Sequence, residues 1–190
     1  LPYFLNGFSK TGATSDNALY ANYSYDVLGR VTAITNSTGT VQTVYDDWKI
    51  STIDQNGKIK DVVKDAYGNL VQIIEHNGPS LYITDYTYNG LGNLLSIKDA
   101  SGNVRNFTYD SLGRKISAQD LHAPGDTTFG VYSYTYDDAS NMTKIIDPKN
   151  QTINYTYDAL HRPSTEDYAG QPGIEVTYTY DAGLDGKGRL

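Results

Sequence analysis

Aspartate is the residue type in this chain best placed to do chemistry, and it recurs. Asp and Glu together number 22 against 15 Lys and Arg, giving a net charge of −7 over 190 residues. Two carboxylates flanking a sugar would suit glycoside hydrolysis. Here, however, the Asp residues fall at regular intervals beside Gly and Asn, which is the chemistry of turns. The three histidines, His76, His122 and His161, are far apart and lie in predicted turns, so they read as solvated loop side chains. No His-Glu-x-x-His or paired-His spacing is present for zinc, and there is no cysteine for a metal or a disulfide. Asp54-Gln-Asn-Gly57 resembles the start of a calcium loop but lacks the downstream bidentate Glu. Gly183-Leu-Asp-Gly186-Lys-Gly188 is glycine-rich, yet no helix is expected after it to receive a phosphate. Sequons at Asn22, Asn36, Asn106, Asn141, Asn150 and Asn154 follow from Thr-rich strands beside Asn-rich turns. The residue types therefore predict no catalytic residue, no cofactor and no metal.

Charge argues against one partner class, and hydropathy against a membrane-spanning helix in this sequence. The basic residues are scattered rather than clustered, which argues against nucleic acid. No apolar run approaches the ~20 residues that span a bilayer as a helix. The remaining chemical signal is aromatic: 18 Tyr against 4 Phe and 1 Trp. Tyr rings stack on sugar faces, so a glycan is a possible ligand, but the tyrosines are too regular to form one site.

That regularity defines the elements. The pair Tyr-x-Tyr followed by Asp or Asn recurs as Tyr23-Ser-Tyr25-Asp26, Tyr86-Thr-Tyr88-Asn89, Phe107-Thr-Tyr109-Asp110, Tyr134-Thr-Tyr136-Asp137, Tyr155-Thr-Tyr157-Asp158 and Tyr178-Thr-Tyr180-Asp181. Val44-Tyr45-Asp46 and Val63-Lys64-Asp65 are weaker copies. Neighbouring anchors are 19 to 27 residues apart, a repeat of about 21. Each anchor opens a turn: Asp26 to Gly29, Asp65 to Gly68, Asn89 to Gly92 and Asp110 to Gly113. The Asp or Asn accepts an N–H two residues on, and the Gly supplies the positive φ that ends a type I turn and starts a bulge. Lys49, Ser140 and His161 replace that Gly, so those turns should be strained or differently built. A second turn follows in each repeat, at Asn36-Ser-Thr-Gly39, Asp54 to Gly57, Glu75-His-Asn-Gly78, Asp99 to Gly102 and Asp147-Pro-Lys-Asn150.

Each repeat is thus two strands of about six residues and two turns. Tyr23 with Tyr25, Tyr86 with Tyr88, Tyr134 with Tyr136, Tyr155 with Tyr157, and Tyr178 with Tyr180 each share one face, as do Phe107 and Tyr109. On the return strand, Val31 with Ile34, Leu70 with Ile73, Leu94 with Ile97 and Met142 with Ile145 lie three apart. That spacing breaks the strand period of two. Either a bulge intervenes or both faces are partly apolar. The extra residues, Leu121 to Gly130 and Tyr168 to Gly173, follow the second anchor. An up-and-down meander then has one uniform rim and one variable rim.

The strings Phe107-Thr-Tyr-Asp-Ser-Leu-Gly-Arg114 and Tyr23-Ser-Tyr-Asp-Val-Leu-Gly-Arg30 resemble the RHS or YD repeat, over about residues 21–190. The resemblance implies an all-β fold: repeated antiparallel β-hairpins in a curved, spiralling sheet that is a segment of a hollow shell. In bacterial Rhs proteins and toxin-complex B/C components such shells enclose a C-terminal toxin domain, and in teneurin-type proteins they mediate adhesion. It implies a secreted or cell-surface structural segment rather than an enzyme. Its partners would be the remaining repeats and an enclosed toxin domain. An adhesion or carbohydrate-binding module is the alternative. The family's self-cleaving core is not recognisable, so no catalytic residue carries over. Residues 1–20 are expected to be a lead-in or end cover, and 21–190 an array of about eight repeats with the last truncated. Leu1 is not an initiator Met, and a further strand is expected after Arg189, so both ends are expected to be cut from a longer chain. Such an array exposes strand edges and is expected to self-associate edge to edge.

Overall fold

The computed structural model describes residues 21–190, and the expected lead-in at 1–20 lies outside the described residues. The described residues contain no helix. Two compact units divide the chain at Thr84/Asp85. The first holds β1 (Asn22–Tyr25), β2 (Val31–Asn36), β3 (Gly39–Asp46), β4 (Lys49–Ile53), β5 (Ile59–Lys64) and β6 (Leu70–Asn77). Strand β7 (Ser80–Tyr88) crosses the boundary. The second holds β8 (Leu94–Lys98), β9 (Val104–Tyr109), β10 (Lys115–Gln119), β11 (Val131–Tyr136), β12 (Met142–Ile146), β13 (Thr152–Tyr157), β14 (Pro163–Tyr168) and β15 (Val176–Thr177). Within each unit every strand pairs antiparallel with its sequence neighbours, as short Asp/Gly turns dictate.

The register resolves the spacing of three. Tyr25 faces Val31 while Ser24 faces Ala33, so Thr32 is an extra residue on the return strand. The same slip leaves Val71, Leu95, Ile116, Thr143 and Ser164 unmatched. This is a β-bulge, and it restores the phase of the pleat. Tyr136 therefore faces Met142 and Tyr134 faces Ile145, all on one side. Tyr88 with Leu94 and Tyr86 with Ile97 repeat the arrangement. The opposite side carries hydroxyls, joined across strands as Thr87 to Ser96 and Thr108 to Ser117, both at 2.7 Å.

Each unit is a single layer, so little is buried. Among the described residues only Phe107 and Ala118 are buried apolar side chains, and they face each other across β9 and β10. Most repeat tyrosines are half-buried, so each contributes roughly half of the ~4–6 kcal/mol gross that full burial would give. Tyr23 and Tyr25 on β1 are more than half exposed.

In the second unit the turns after β7, β9, β11 and β13 form one rim and those after β8, β10, β12 and β14 the other. Both long insertions, between β10 and β11 and between β14 and β15, fall on the second rim. The first is pinned where His122 and Val104 exchange backbone hydrogen bonds at 2.7 and 3.0 Å. Gly130 is required there, because a Cβ would fall 2.4 Å from Asp120 Oδ2 and from Pro148 Cβ.

Candidate functional site

The chemistry of this chain is concentrated at the Asp loops and at the tyrosines beside them. In the loop from Asp110, Oδ1 accepts the N–H of Leu112 at 3.0 Å and of Arg114 at 2.9 Å. The backbone closes with Gly113 N–H to Asp110 O at 3.0 Å and Asp110 N–H to Arg114 O at 2.9 Å. Gly113 has φ +78°, the left-handed value that lets the chain re-enter the sheet. Asp26 with Gly29, Asp65 with Gly68, and Asn89 with Gly92 make the same loop. So do Asp54 with Gly57 after β4 and Asp99 with Gly102 after β8.

Where Gly is missing, two solutions occur. Ser140 and His161 keep the loop and take φ of +67° and +60° themselves. Lys49 instead pairs with Asp46 across a two-residue turn in which Asp47 carries φ +50°. The expected turn at Glu75 to Gly78 is displaced. Strand β6 runs on to Asn77, and Gly78-Pro79 makes the turn, because Gly78 is the first residue able to take positive φ without strain. At Asn36 to Gly39 the two ends pair directly across a two-residue turn.

The residue after each loop reaches back and onward. Arg114 Nε bonds Asp110 Oδ2 at 2.7 Å, and its Nη1 donates to the Asp137 carbonyl of the next repeat at 2.9 Å. Its guanidinium also lies 4.8 Å from the Tyr136 ring centre. Arg162 bridges Asp158 and Asp181, each at 2.7 Å, and these carboxylates hold its guanidinium pKa above the ordinary value. Asn141 plays the same part with Asp137 behind and His161 Nδ1 ahead. The loop acids respond. Donation from the Asn141 side chain holds Asp137 below the usual carboxylate range, and the Arg162 backbone N–H does so for Asp158.

In four repeats the second tyrosine of the motif caps a carbonyl of the preceding repeat. Tyr45 OH donates to Val31 O at 3.1 Å, Tyr109 to Leu94 O at 2.9 Å, Tyr136 to Lys115 O at 2.8 Å and Tyr157 to Met142 O at 2.8 Å. Each accepting residue immediately precedes the bulge. The ladder to the following strand stops two residues further on, at Ala33, Ser96, Ser117 or Lys144. The bulge thus frees a carbonyl, and the hydroxyl satisfies it. Burial raises the pKa of Tyr109, Tyr136 and Tyr157. The first position has no such duty and accepts Phe107. At the end of the array Tyr178 donates to Glu166 at 2.5 Å, which pushes its pKa up to about 12. Tyr180 lies under Arg162, its ring centre 4.2 Å from the guanidinium. Tyr155 stands opposite Glu166, where the neighbouring repeat sets Tyr134 against Ile145.

The histidines are not simply solvated. His76 lies on β6 and bonds Asp61 at 3.0 Å. His122 stacks on Phe129 with ring centres 3.7 Å apart, and His161 sits in its loop against Asn141. Asp61 is 6 % exposed. Burial raises its pKa, but hydrogen bonds from Ser51 and His76 outweigh this and lower it. A hydrolase relay needs imidazole between hydroxyl and carboxylate. Here the carboxylate stands between Ser51 and His76, so the cluster ties strands together rather than activating Ser51. Sequence reasoning missed it, since nothing in the spacing of positions 51, 61 and 76 announces it. Among the described residues no group of three His, Cys, Asp or Glu is placed to hold a metal ion. A pocket of about 290 Å³ lies beside the second insertion, lined by Tyr168, Asp147, Gln151, Gln171, Ile145 and Ile153 among others.

Comparison with known proteins places this lattice. No curated protein sequence matches the chain. Several solved structures share its fold. The crystal structure of TcdB2-TccC3-Cdc42 has a TM-score of 0.57 at 16 % identity, covering 85 % of this chain and 11 % of that one. The Tc holotoxin pore of Photorhabdus luminescens, with a substituted TccC3, has a TM-score of 0.63 at 14 % identity, covering 81 % and 9 %. TcdB2-TccC3 without its hypervariable C-terminal region has a TM-score of 0.54 at 16 % identity, covering 85 % and 11 %. The chain therefore spans about a tenth of the length of these structures. The family model described as RHS Repeat matches residues 65–104, 88–128 and 136–172, more than half of the chain. With its hairpins and its Tyr-x-Tyr-Asp loops in that register, this chain belongs to the RHS repeat family.

Proposed function

We propose that the chain is an architectural segment of a secreted or surface RHS protein, part of a β-shell that encloses a C-terminal toxin or effector domain. The observation that carries the reading is the coupling between repeats. The Arg or Asn after a loop bonds the acid of its own loop and a group of the next repeat, and the tyrosine hydroxyl bonds a carbonyl of the preceding one. Such bonds extend a wall one hairpin at a time, and they use the polar groups that a catalytic site would need free. Residues 21–190 then form an array of about eight repeats. The toxin-complex structures that share the fold support the setting.

The test is the remainder of the protein. Limited proteolysis of the full-length chain should leave the C-terminal domain intact while the same domain expressed alone is digested. Equal digestion rates, or a chain ending in a membrane anchor or wall-sorting signal, would defeat the proposal. One observation favours a second reading, carbohydrate binding. The pocket beside Tyr168 combines an aromatic face with Asp147 and two glutamine amides, the mixture that a pyranose requires. Saturable glycan-array binding that Tyr168→Ala removes would support it, and binding unchanged by Tyr168→Ala would exclude this pocket.

A further inference from the structure

Three donors on the Tyr-bearing side of the second unit converge on one ring and meet no acceptor. Phe107 on β9 is one of the two buried apolar side chains among the described residues, and Ala118 on β10 is the other. Arg105, two residues earlier on β9, holds its guanidinium carbon 5.4 Å from the Phe107 ring centre. Lys115 on β10 holds its Nζ 5.6 Å from the same ring and 5.7 Å from the ring of Tyr134 on β11. The charge of Arg105 also reaches Tyr134: burial raises the pKa of this phenol, and Arg105 opposes the rise. The Tyr134 hydroxyl caps no carbonyl, unlike those of Tyr109 and Tyr136.

The other arginines show what is missing here. Arg30, Arg114 and Arg162 each give Nε to the Asp of their own loop at 2.7 Å. Arg105 and Lys115 enter no ion pair among the described residues. Asp120, which follows β10, sets its Oδ2 against Gly130 instead. Among the described residues Arg105 Nε is the one buried side-chain polar atom without a hydrogen-bond partner. Long cationic side chains often cover an aromatic ring with their stems while the charged head stays in water. A wet head keeps its Nε hydrated, so covering Phe107 does not account for a buried, unbonded Nε, which costs stability until an acceptor arrives.

We propose that Arg105, Lys115 and Tyr134 form a carboxylate-binding site for an acidic peptide segment of a partner protein. The site contains donors only: a guanidinium fork, an ammonium and a phenol. A turn of the guanidinium presents Nε and Nη2 together, which fits the two oxygens of a Glu or Asp side chain. Two positive charges with no acid paired to them attract that group. A sugar acid fits less well, because a pyranose stacks on an open aromatic face and Phe107 is only 9 % exposed. A phosphate fits less well, because the main-chain N–H groups that cradle phosphates are spent here in the ladders of β9, β10 and β11. The unit is a single layer and the site is open, so one carboxylate binds weakly, with Kd on the order of 1 mM. The site belongs to this chain's own sheet and stands whether or not the chain encloses a cargo.

The test is a titration of the isotope-labelled 190-residue protein with an acetylated, amidated tetraglutamate peptide, followed by NMR through the arginine Nε–H signals. A saturable shift at Arg105 is expected, with none at Arg114 and Arg162, whose Nε atoms are already held by Asp. A tetraglutamine peptide should give no shift, and raising NaCl from about 50 to about 300 mM should weaken the binding several-fold. Lys115→Met keeps a stem over Phe107 and should weaken binding at least about threefold, as loss of one of two charges requires. Arg105→Met, followed through the Tyr134 ring signals, should abolish binding, with a melting temperature no lower than the parent's because the unbonded Nε is gone. The proposal is overturned by the absence of a saturable Arg105 shift up to about 10 mM peptide, several times the expected Kd. It is also overturned by equal shifts at the exposed Arg189, by binding that survives Arg105→Met, or by a lower melting temperature in that variant. Tighter binding of trigalacturonate or of inorganic phosphate than of tetraglutamate would overturn it in favour of a glycan or a phosphate.

Discussion

Replacing Tyr109, Tyr136 and Tyr157 by Phe removes three hydroxyls while keeping every ring. Each hydroxyl donates to a carbonyl of the preceding repeat at 2.8–2.9 Å. A hydrogen bond of this kind contributes about 0.5–1.5 kcal/mol net, and a part-buried carbonyl left without its donor puts the value near the middle, about 1 kcal/mol. The three sites share no partner and lie about two strands apart, so their effects should add to about 3 kcal/mol. For a chain of this size that is a fall in Tm of about 6–12 °C. Far-UV circular dichroism during urea and thermal unfolding measures it. Tyr134→Phe is the control, because its position is filled by Phe in the repeat at Phe107. It should cost under about 0.5 kcal/mol. A triple variant within about 0.5 kcal/mol of the parent, or a control as costly as Tyr136→Phe, would refute the view that the second hydroxyl ties repeats together.

Other outcomes follow from the loops and from pH. Ser140→Gly and His161→Gly should raise stability by about 0.5–1 kcal/mol, since a left-handed conformation costs an ordinary residue ~1–2 kcal/mol and the lost side-chain bonds offset part of that. Gly113→Ala should lower the unfolding free energy measured in urea by about 1 kcal/mol through its φ of +78° alone, because the new Cβ meets the Asn93 side chain no closer than 3.5 Å. A neutral Gly113→Ala would show the loop is not held in that conformation. Asp137 and Asp158 titrate below the ordinary value, so their contribution is present above that value and is lost as pH falls through the folded one. Asp137→Asn/Asp158→Asn should therefore flatten the acid side of the stability profile, and an unchanged profile would contradict the loop electrostatics. Tyr178 titrates at about 12 rather than 10.0, so its contribution is complete below pH 10 and disappears between the two values. Phenolate absorbance should show one tyrosine returning toward pH 10 in Glu166→Gln, and no change would mean that Glu166 does not hold the hydroxyl.

Local chemistry was legible in the sequence wherever it is completed within a few residues. Asp110 and Gly113 close one turn over five residues, and alternation along Tyr134-Thr-Tyr136 sets a face without reference to any other strand. The third loop position, apolar at Leu28, Leu91, Leu112 and Leu160, was equally visible, yet its exposure was not, because exposure depends on what stands above the turn. The Arg or Asn after each loop was visible too. Its double attachment was not, since the second partner belongs to another repeat.

The sequence by itself determined the repeat, most of the loops, the phase of the tyrosine strands and the rim that takes insertions, because all of these rest on nearest-neighbour geometry. Tertiary structure decided what pairing and register control. The return strand carries a bulge rather than two apolar faces, since only the register against Tyr25 or Tyr136 distinguishes them. The hydroxyl of Tyr136 meets the Lys115 carbonyl, and the imidazole of His76 meets Asp61, because adjacent strands place residues 15 to 21 positions apart within 3.0 Å. No local rule carries that distance. It is set when one hairpin pairs with the next.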